Sequence, residues 1–225
     1  QIVVSEKKPF DIKTDLLVVG LSVNCLEKND LLKKLDKALS GFLTTMIQDN
    51  YFTGKASEQL ELNSLGKLNA KRILLLGLGD FTKTKSPVNW LDVGGIAVKT
   101  ANKISAKQLH FVLPELNDDS VVDSCHLITK GMILGGYRYT KHLSEPGREP
   151  SLTKSIIVLD ESHIDLQAKI KKAVKKGQIV GDSVLFARDL VNEPANNLYP
   201  ESFSKIIEKM ADDNELSCQT ITVDE

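Results

Sequence analysis

"RILLLGLG", residues 72–79, decides the fold. Ile73 to Leu78 run without a charged or polar side chain, and glycines punctuate the exit. An alternating strand would keep one face polar; a continuous apolar run belongs to a strand covered on both faces. Three further stretches read the same way: "DLLVVGLS" (15–22), "LHFVLPE" (109–115) and "KSIIVLD" (154–160). Between them the spacing becomes helical. Leu31, Leu32, Leu35, Ala38 and Leu39 place one or two helices in 28–50, and Pro87 precedes a helix at 88–104. Acidic residues open another at 118–139, where they favour the positive end of a helix. Strand and helix in alternation predict a mostly parallel sheet between helical layers, an α/β class.

The chain has 225 residues, 26% charged and 41% hydrophobic, with net charge −1. That is globular composition, with no global attraction for nucleic acid or an anionic membrane. Lys171, Lys172, Lys175 and Lys176 fall on a helical pattern and read as a solvated face. Cys25, Cys125 and Cys218 are odd in number and far apart. They speak against a disulfide framework and for a reducing compartment. The longest apolar run is too short to span a bilayer, and "QIVVSEKKPFDI" lacks a signal-peptide core. A cytoplasmic protein is expected, trimmed at an amino end that starts with Gln1.

From His163 to Asn192, residues Leu166, Ile170, Val174, Gly177, Gly181, Val184, Arg188 and Val191 recur every three or four positions. This predicts one helix on the order of 40 Å long, either a rod between domains or a helix lying across one. Gly177 and Gly181 share a face, which suits close approach of another backbone. Pro194 and Pro200 then break the helix, and Asn196 and Asn197 suit turns. A second amphipathic helix follows through Phe203, Ile206, Ile207 and Met210, and "SCQTITVDE" (217–225) reads as a strand. That renewed rhythm, cut short, leads us to expect a fragment with Phe203, Ile206 and Met210 partly exposed.

Catalytic signatures are sparse. "GLGD" (77–80) begins like a dinucleotide loop, but the third glycine position is Thr82. His110, His126, His142 and His163 have no partner at helical metal-site spacing, and His110 reads as structural. Cys25 follows a strand, yet no neighbouring residue supplies a base.

"ARDLVNEPANNLYPESF" (187–203) closely resembles the interdomain segment of the leucine (cytosol) aminopeptidase family, Arg-x-Leu-x-Asn-x-Pro-x-Asn-x-x-x-Pro, through Arg188, Leu190, Asn192, Pro194, Asn196 and Pro200. "TKGMILGGYRYTKHL" (129–143) is similar to that family's Gly-x-x-Leu-Gly-x-Tyr-x-Phe segment through Gly131, Leu134, Gly135, Tyr137 and Tyr139, with Lys130 where an acidic residue is common. The resemblance implies a three-layer, macro-domain-like fold over 1–162, a connecting helix and linker over 163–200, and the start of a C-terminal peptidase domain over 201–225. It also implies a cytoplasmic, homohexameric metallo-exopeptidase that removes N-terminal residues with two divalent metal ions, Mn or Zn. The family's ligand motifs, GKGxxFDxGG and NTDAEGR, are absent from 1–225. No catalytic or metal residue is therefore assigned, and the chain alone is expected to be inactive. The alternative is a macro-type module that binds ADP-ribose or a nucleotide, drawn from "DLLVVGLSVNC"; it lacks an Asn-rich and a Gly-rich phosphate loop.

Overall fold

The computed structural model describes residues 1–6, 8–11, 13–23, 29–80, 88–114, 116, 118–144, 152–159 and 161–221. The chain divides into two compact units, Gln1–Ser183 and Val184–Glu225.

The first unit is built on a six-stranded sheet. Its strands are β1 (Ile2–Ser5), β2 (Thr14–Ser22), β3 (Gln59–Asn63), β4 (Ala70–Gly79), β5 (Gln108–Val112) and β6 (Lys154–Val158), in the order β1-β6-β5-β2-β4-β3. Every pairing is parallel except β3 with β4. The two longest apolar runs, β2 and β4, lie side by side near the centre, with Leu17 opposite Ile73 and Val19 opposite Leu75.

Alternate side chains of these strands feed two cores. Leu16, Val18, Leu74, Leu76, Leu109 and Phe111 pack on one face with residues of α3 (Trp90–Lys103), α4 (Asp118–Gly135) and α5 (Gln167–Asn192). Leu17, Val19, Ile73 and Leu75 pack on the other face with Leu32 and Leu35 of α1 (Asp30–Ala38) and Leu43 of α2 (Phe42–Asp49). Two dry faces explain the unbroken apolar runs. The expected three-layer α/β architecture with a mostly parallel sheet and a long helix is observed.

Local signals set most boundaries. Asn29 caps α1 by accepting from Leu32 N at 2.8 Å. Ser40 (φ 60°) and Gly41 (φ 83°) split the predicted 28–50 segment into α1 and α2. The Asn89 carboxamide accepts from Asp92 N at the start of α3. Helix α4 stops at Gly135, short of the predicted residue 139, where Gly136 N turns back to the Met132 and Ile133 carbonyls.

Other expectations need correction. Strand β5 ends at Val112 rather than in the predicted 109–115 run, since Pro114 has no N–H to donate to a ladder. Residues 161–166 form a 3-10 turn, so the long α-helix begins at Gln167 and not at His163. Residues 217–221 form no strand: among the described residues no strand pairs with them, and alternation alone cannot supply a ladder. The remainder of that predicted strand, 222–225, lies outside the described residues.

Within the first unit, Ile170, Ala173, Val174, Gly177 and Gly181 of α5 are buried, and Lys171, Lys172, Lys175 and Lys176 are exposed. Among the described residues no helix is long and apolar enough to cross a membrane.

Candidate functional site

The six linker residues singled out in the sequence fall in the second unit. Arg188, Leu190 and Asn192 ride the last turns of α5. Pro194 opens a tight turn whose carbonyl accepts from both Asn197 N and Leu198 N at 2.9 Å. Asn196 lies inside that turn, and Pro200 takes the first position of α6 (Pro200–Asp213). A proline there forfeits no helical hydrogen bond. The Ser202 hydroxyl fixes the entry to α6. It accepts from Tyr199 N and donates to the Asn197 carbonyl, both at 2.9 Å.

Helix α6 buries Ala211 and leaves Phe203 43% exposed, with Ile206 and Met210 half-buried. Val191 and Tyr199 are exposed as well. The second unit therefore carries apolar side chains open to solvent along both helices.

The other quoted motif is a packing device. Gly131 and Gly135 sit on the face of α4 that meets α3. A Cβ on Gly131 would collide with the Leu91 carbonyl, and one on Gly94 with the Ile128 carbonyl. One on Gly135 would reach 2.6 Å from the Gly95 Cα. Sequence reading named Gly131 and Gly135 only through the family resemblance, with no packing role, and missed Gly94 and Gly95, although a Gly-Gly pair inside a helical pattern was the available signal. Gly177 and Gly181 of α5 do the same against His126 O and Ile133 of α4. Leu134 is half-buried on α4, and Tyr137 and Tyr139 follow its end. Tyr139 lies against His142 with ring centroids 6.0 Å apart.

At the carboxyl ends of the strands, where open α/β sheets take ligands, the Gly77 and Gly79 amides of "GLGD" are already committed. Gly77 N donates to Glu58 O at 2.8 Å and Gly79 N to Gly54 O at 2.9 Å, while Val23 N donates to Gly79 O. Residues 53–58 thus cover this end of β4. The Glu58 carboxylate holds that loop by accepting from Thr53 N, Thr53 Oγ1 and Lys55 N. Burial pushes its pKa up, but these hydrogen bonds outweigh it, so the carboxyl sits below its ordinary value. Thr82 and Cys25 lie outside the described residues.

The histidines do not converge. His110 is 1% exposed on β5, and burial, with Lys154 nearby, lowers its pKa to about 4. His163 meets the Leu116 carbonyl through Nε2 at 3.1 Å. Burial pushes the Cys125 thiol up to about 12, and Cys218 is exposed. Among the described residues, no three His, Cys, Asp or Glu side chains are grouped to hold a metal ion.

Comparison with known proteins is consistent along the chain. Residues 18–146 match the model of the cytosol aminopeptidase family, N-terminal domain. Leucine aminopeptidase 1 of Arabidopsis thaliana is 32% identical over 208 residues, covering 88% of this chain and 38% of that protein. A mutant of tomato leucine aminopeptidase superposes with a TM-score of 0.81 at 26% identity, over 95% of this chain and 42% of that one. The bottromycin maturation enzyme BotP in complex with Mn shares the fold at TM-score 0.64 and 19% identity, over 91% of this chain and 38% of that one. The chain spans about two fifths of the length of the curated relatives it matches.

Proposed function

As the chain belongs to the cytosol aminopeptidase family, we propose that it serves as the non-catalytic N-terminal part of a leucyl aminopeptidase. The whole protein is read as a metallo-exopeptidase that removes N-terminal residues from peptides. In this reading a C-terminal peptidase domain would hold two divalent ions, Mn or Zn, which would supply Lewis-acid chemistry for peptide hydrolysis. The described residues of this chain group no such ligand set, and no catalytic step is assigned to them. The partition into 1–162, a connection over 163–200 and the beginning of the peptidase domain at 201–225 belongs to the same proposal. So do cytoplasmic placement and a homohexamer in which this part serves assembly and access to the active sites.

The observation that carries the reading is the superposition on tomato leucine aminopeptidase, which takes in 95% of this chain but 42% of that one. The exposed apolar side chains Val191, Tyr199 and Phe203 support a role in contacts made along the linker and α6. The ADP-ribose reading has less support, because the amides of Val23, Gly77 and Gly79 are already paired; micromolar binding in a calorimetric titration would restore it. The direct test supplies the 225-residue chain with a leucyl peptide and Mn²⁺ or Zn²⁺. No release of leucine is expected. Release at a rate proportional to chain concentration would overturn the assignment of this part as non-catalytic.

A further inference from the structure

A notch of about 470 Å³ opens between the β3–β4 hairpin and the corner joining α1 to α2, at residues to which the family reading gives no role. Its lining mixes apolar side chains with polar ones. Leu39 is buried at its base, while Phe42 and Leu65 stand 39% and 70% exposed. Lys67 lies across it: Nζ donates to Ser40 Oγ at 3.0 Å and to the Leu39 carbonyl at 3.5 Å, leaving the third ammonium hydrogen uncommitted. Ser64 also lines the notch; it is 1% exposed, and its hydroxyl has no partner. A buried hydroxyl without a partner is costly unless something arrives to bond it. Helix α2 begins here at Gly41, but its positive end is already met by the Asp36 carboxylate, so Lys67 is the cation of the notch. The neighbouring Asp36 carboxylate is bonded by Thr44 N and Thr44 Oγ1 and does not line the notch.

The backbone is strained around this opening. Ser40 and Leu65 hold φ of 60° and 52°. A branched side chain in that region costs about 1 kcal/mol or more and persists where its placement matters. The Leu65–Gly66 turn accounts for the positive φ of Leu65, but core packing does not account for its 70% exposure.

We propose that this notch binds the C-terminal residue of a short peptide ending in an aliphatic side chain. The carboxylate would sit on the Lys67 ammonium and the Ser64 hydroxyl, with the side chain between Phe42 and Leu65. One uncommitted cation suits a monoanion better than a phosphate dianion, and the exposed Phe42 and Leu65 favour an anion that carries an aliphatic side chain. The volume is ample for one terminal residue, and the open mouth lets the rest of the peptide leave.

The test follows backbone amide shifts of the ¹⁵N-labelled 225-residue chain with three probes: N-acetyl-alanyl-leucine, its C-terminal amide, and acetate. The peptide acid should give saturable shifts confined to residues 39–45 and 64–67, and the other two probes should not. K67M should weaken the acid at least about tenfold, while K67R and the distant K99M keep it. Three results would each overturn the proposal: no saturable shift with the acid, equal shifts with the amide or with acetate, or unaltered affinity in K67M.

Discussion

Gly135 of α4 lies backbone to backbone against Gly95 of α3, so close that a Cβ on Gly135 would stand 2.6 Å from the Gly95 Cα. Gly131 meets the Leu91 carbonyl and Gly94 the Ile128 carbonyl in the same seam. The Gly-x-x-Leu-Gly segment singled out in the sequence is therefore explained by helix packing. The glycines remove the side chains that would otherwise hold α3 and α4 apart, and the two helices together cover one face of the sheet.

Replacing Gly131 with alanine sets two effects against each other. Helix propensity alone favours alanine by about 1 kcal/mol. The added methyl, however, meets a backbone carbonyl, which cannot swing aside as a long side chain can. Overpacking of that kind costs about 1–3 kcal/mol or more. G131A is expected to lower the thermal midpoint by several degrees; a midpoint equal to or above wild type would show that the helices separate freely.

Most of the fold was legible because β2 and β4 are covered on both faces and so lose all polar alternation. β1 and β3 were not legible. Ile2–Ser5 is four residues long and pairs with β6, more than 150 residues away in sequence. Gln59–Asn63 is an edge strand that buries only Leu60 and Leu62. The helix seam was half legible, because its two glycine pairs lie on different helices and nothing local says that they meet. The notch was not legible at all. Lys67 and Ser40 come together only after the hairpin and the α1–α2 corner have folded.

Leu65 and Gly66 both have positive φ, and Lys67 N donates to Ser64 O at 3.0 Å, as in a type I′ hairpin turn. Asparagine is the preferred first residue of that turn because it tolerates the left-handed region. L65N should raise unfolding stability by about 1 kcal/mol while weakening the peptide acid in the notch. Urea titration reads the first effect; a loss of stability would mean that Leu65 contributes packing its 70% exposure does not suggest.

Asp15 ties the amino ends of three strands together. Its carboxylate accepts from Lys71 Nζ at 2.6 Å, Lys107 N at 2.8 Å and Gln108 N at 3.1 Å. Burial raises its pKa, but these bonds prevail and hold the carboxyl below its ordinary value. A depressed carboxylate stabilises the fold above its unfolded pKa, and that contribution disappears as pH falls through the folded value. D15A should cost about 1–3 kcal/mol at neutral pH, and the gap from wild type should close below about pH 4. Denaturant midpoints measured across that range check both; a gap that persists undiminished in acid would mean that the charge is irrelevant.

His110 should dominate the next window up. It sits in β5 between Leu17 of β2 and Ile156 of β6, 1% exposed, with neither ring nitrogen hydrogen-bonded. Burial and the Lys154 charge lower its pKa to about 4. The native state therefore keeps the ring neutral, while the unfolded chain takes up a proton near its ordinary value of about 6.5. Stability should be full above that value, fall by up to roughly 3 kcal/mol as pH drops towards the folded pKa, and level off below it. H110L removes both the titration and two unpaired buried nitrogens in nearly the same volume. It should raise stability at neutral pH by about 1–3 kcal/mol and flatten the decline through the mildly acidic range. If the variant loses stability with acid as steeply as wild type does, the decline comes from another group and the buried ring is not its source.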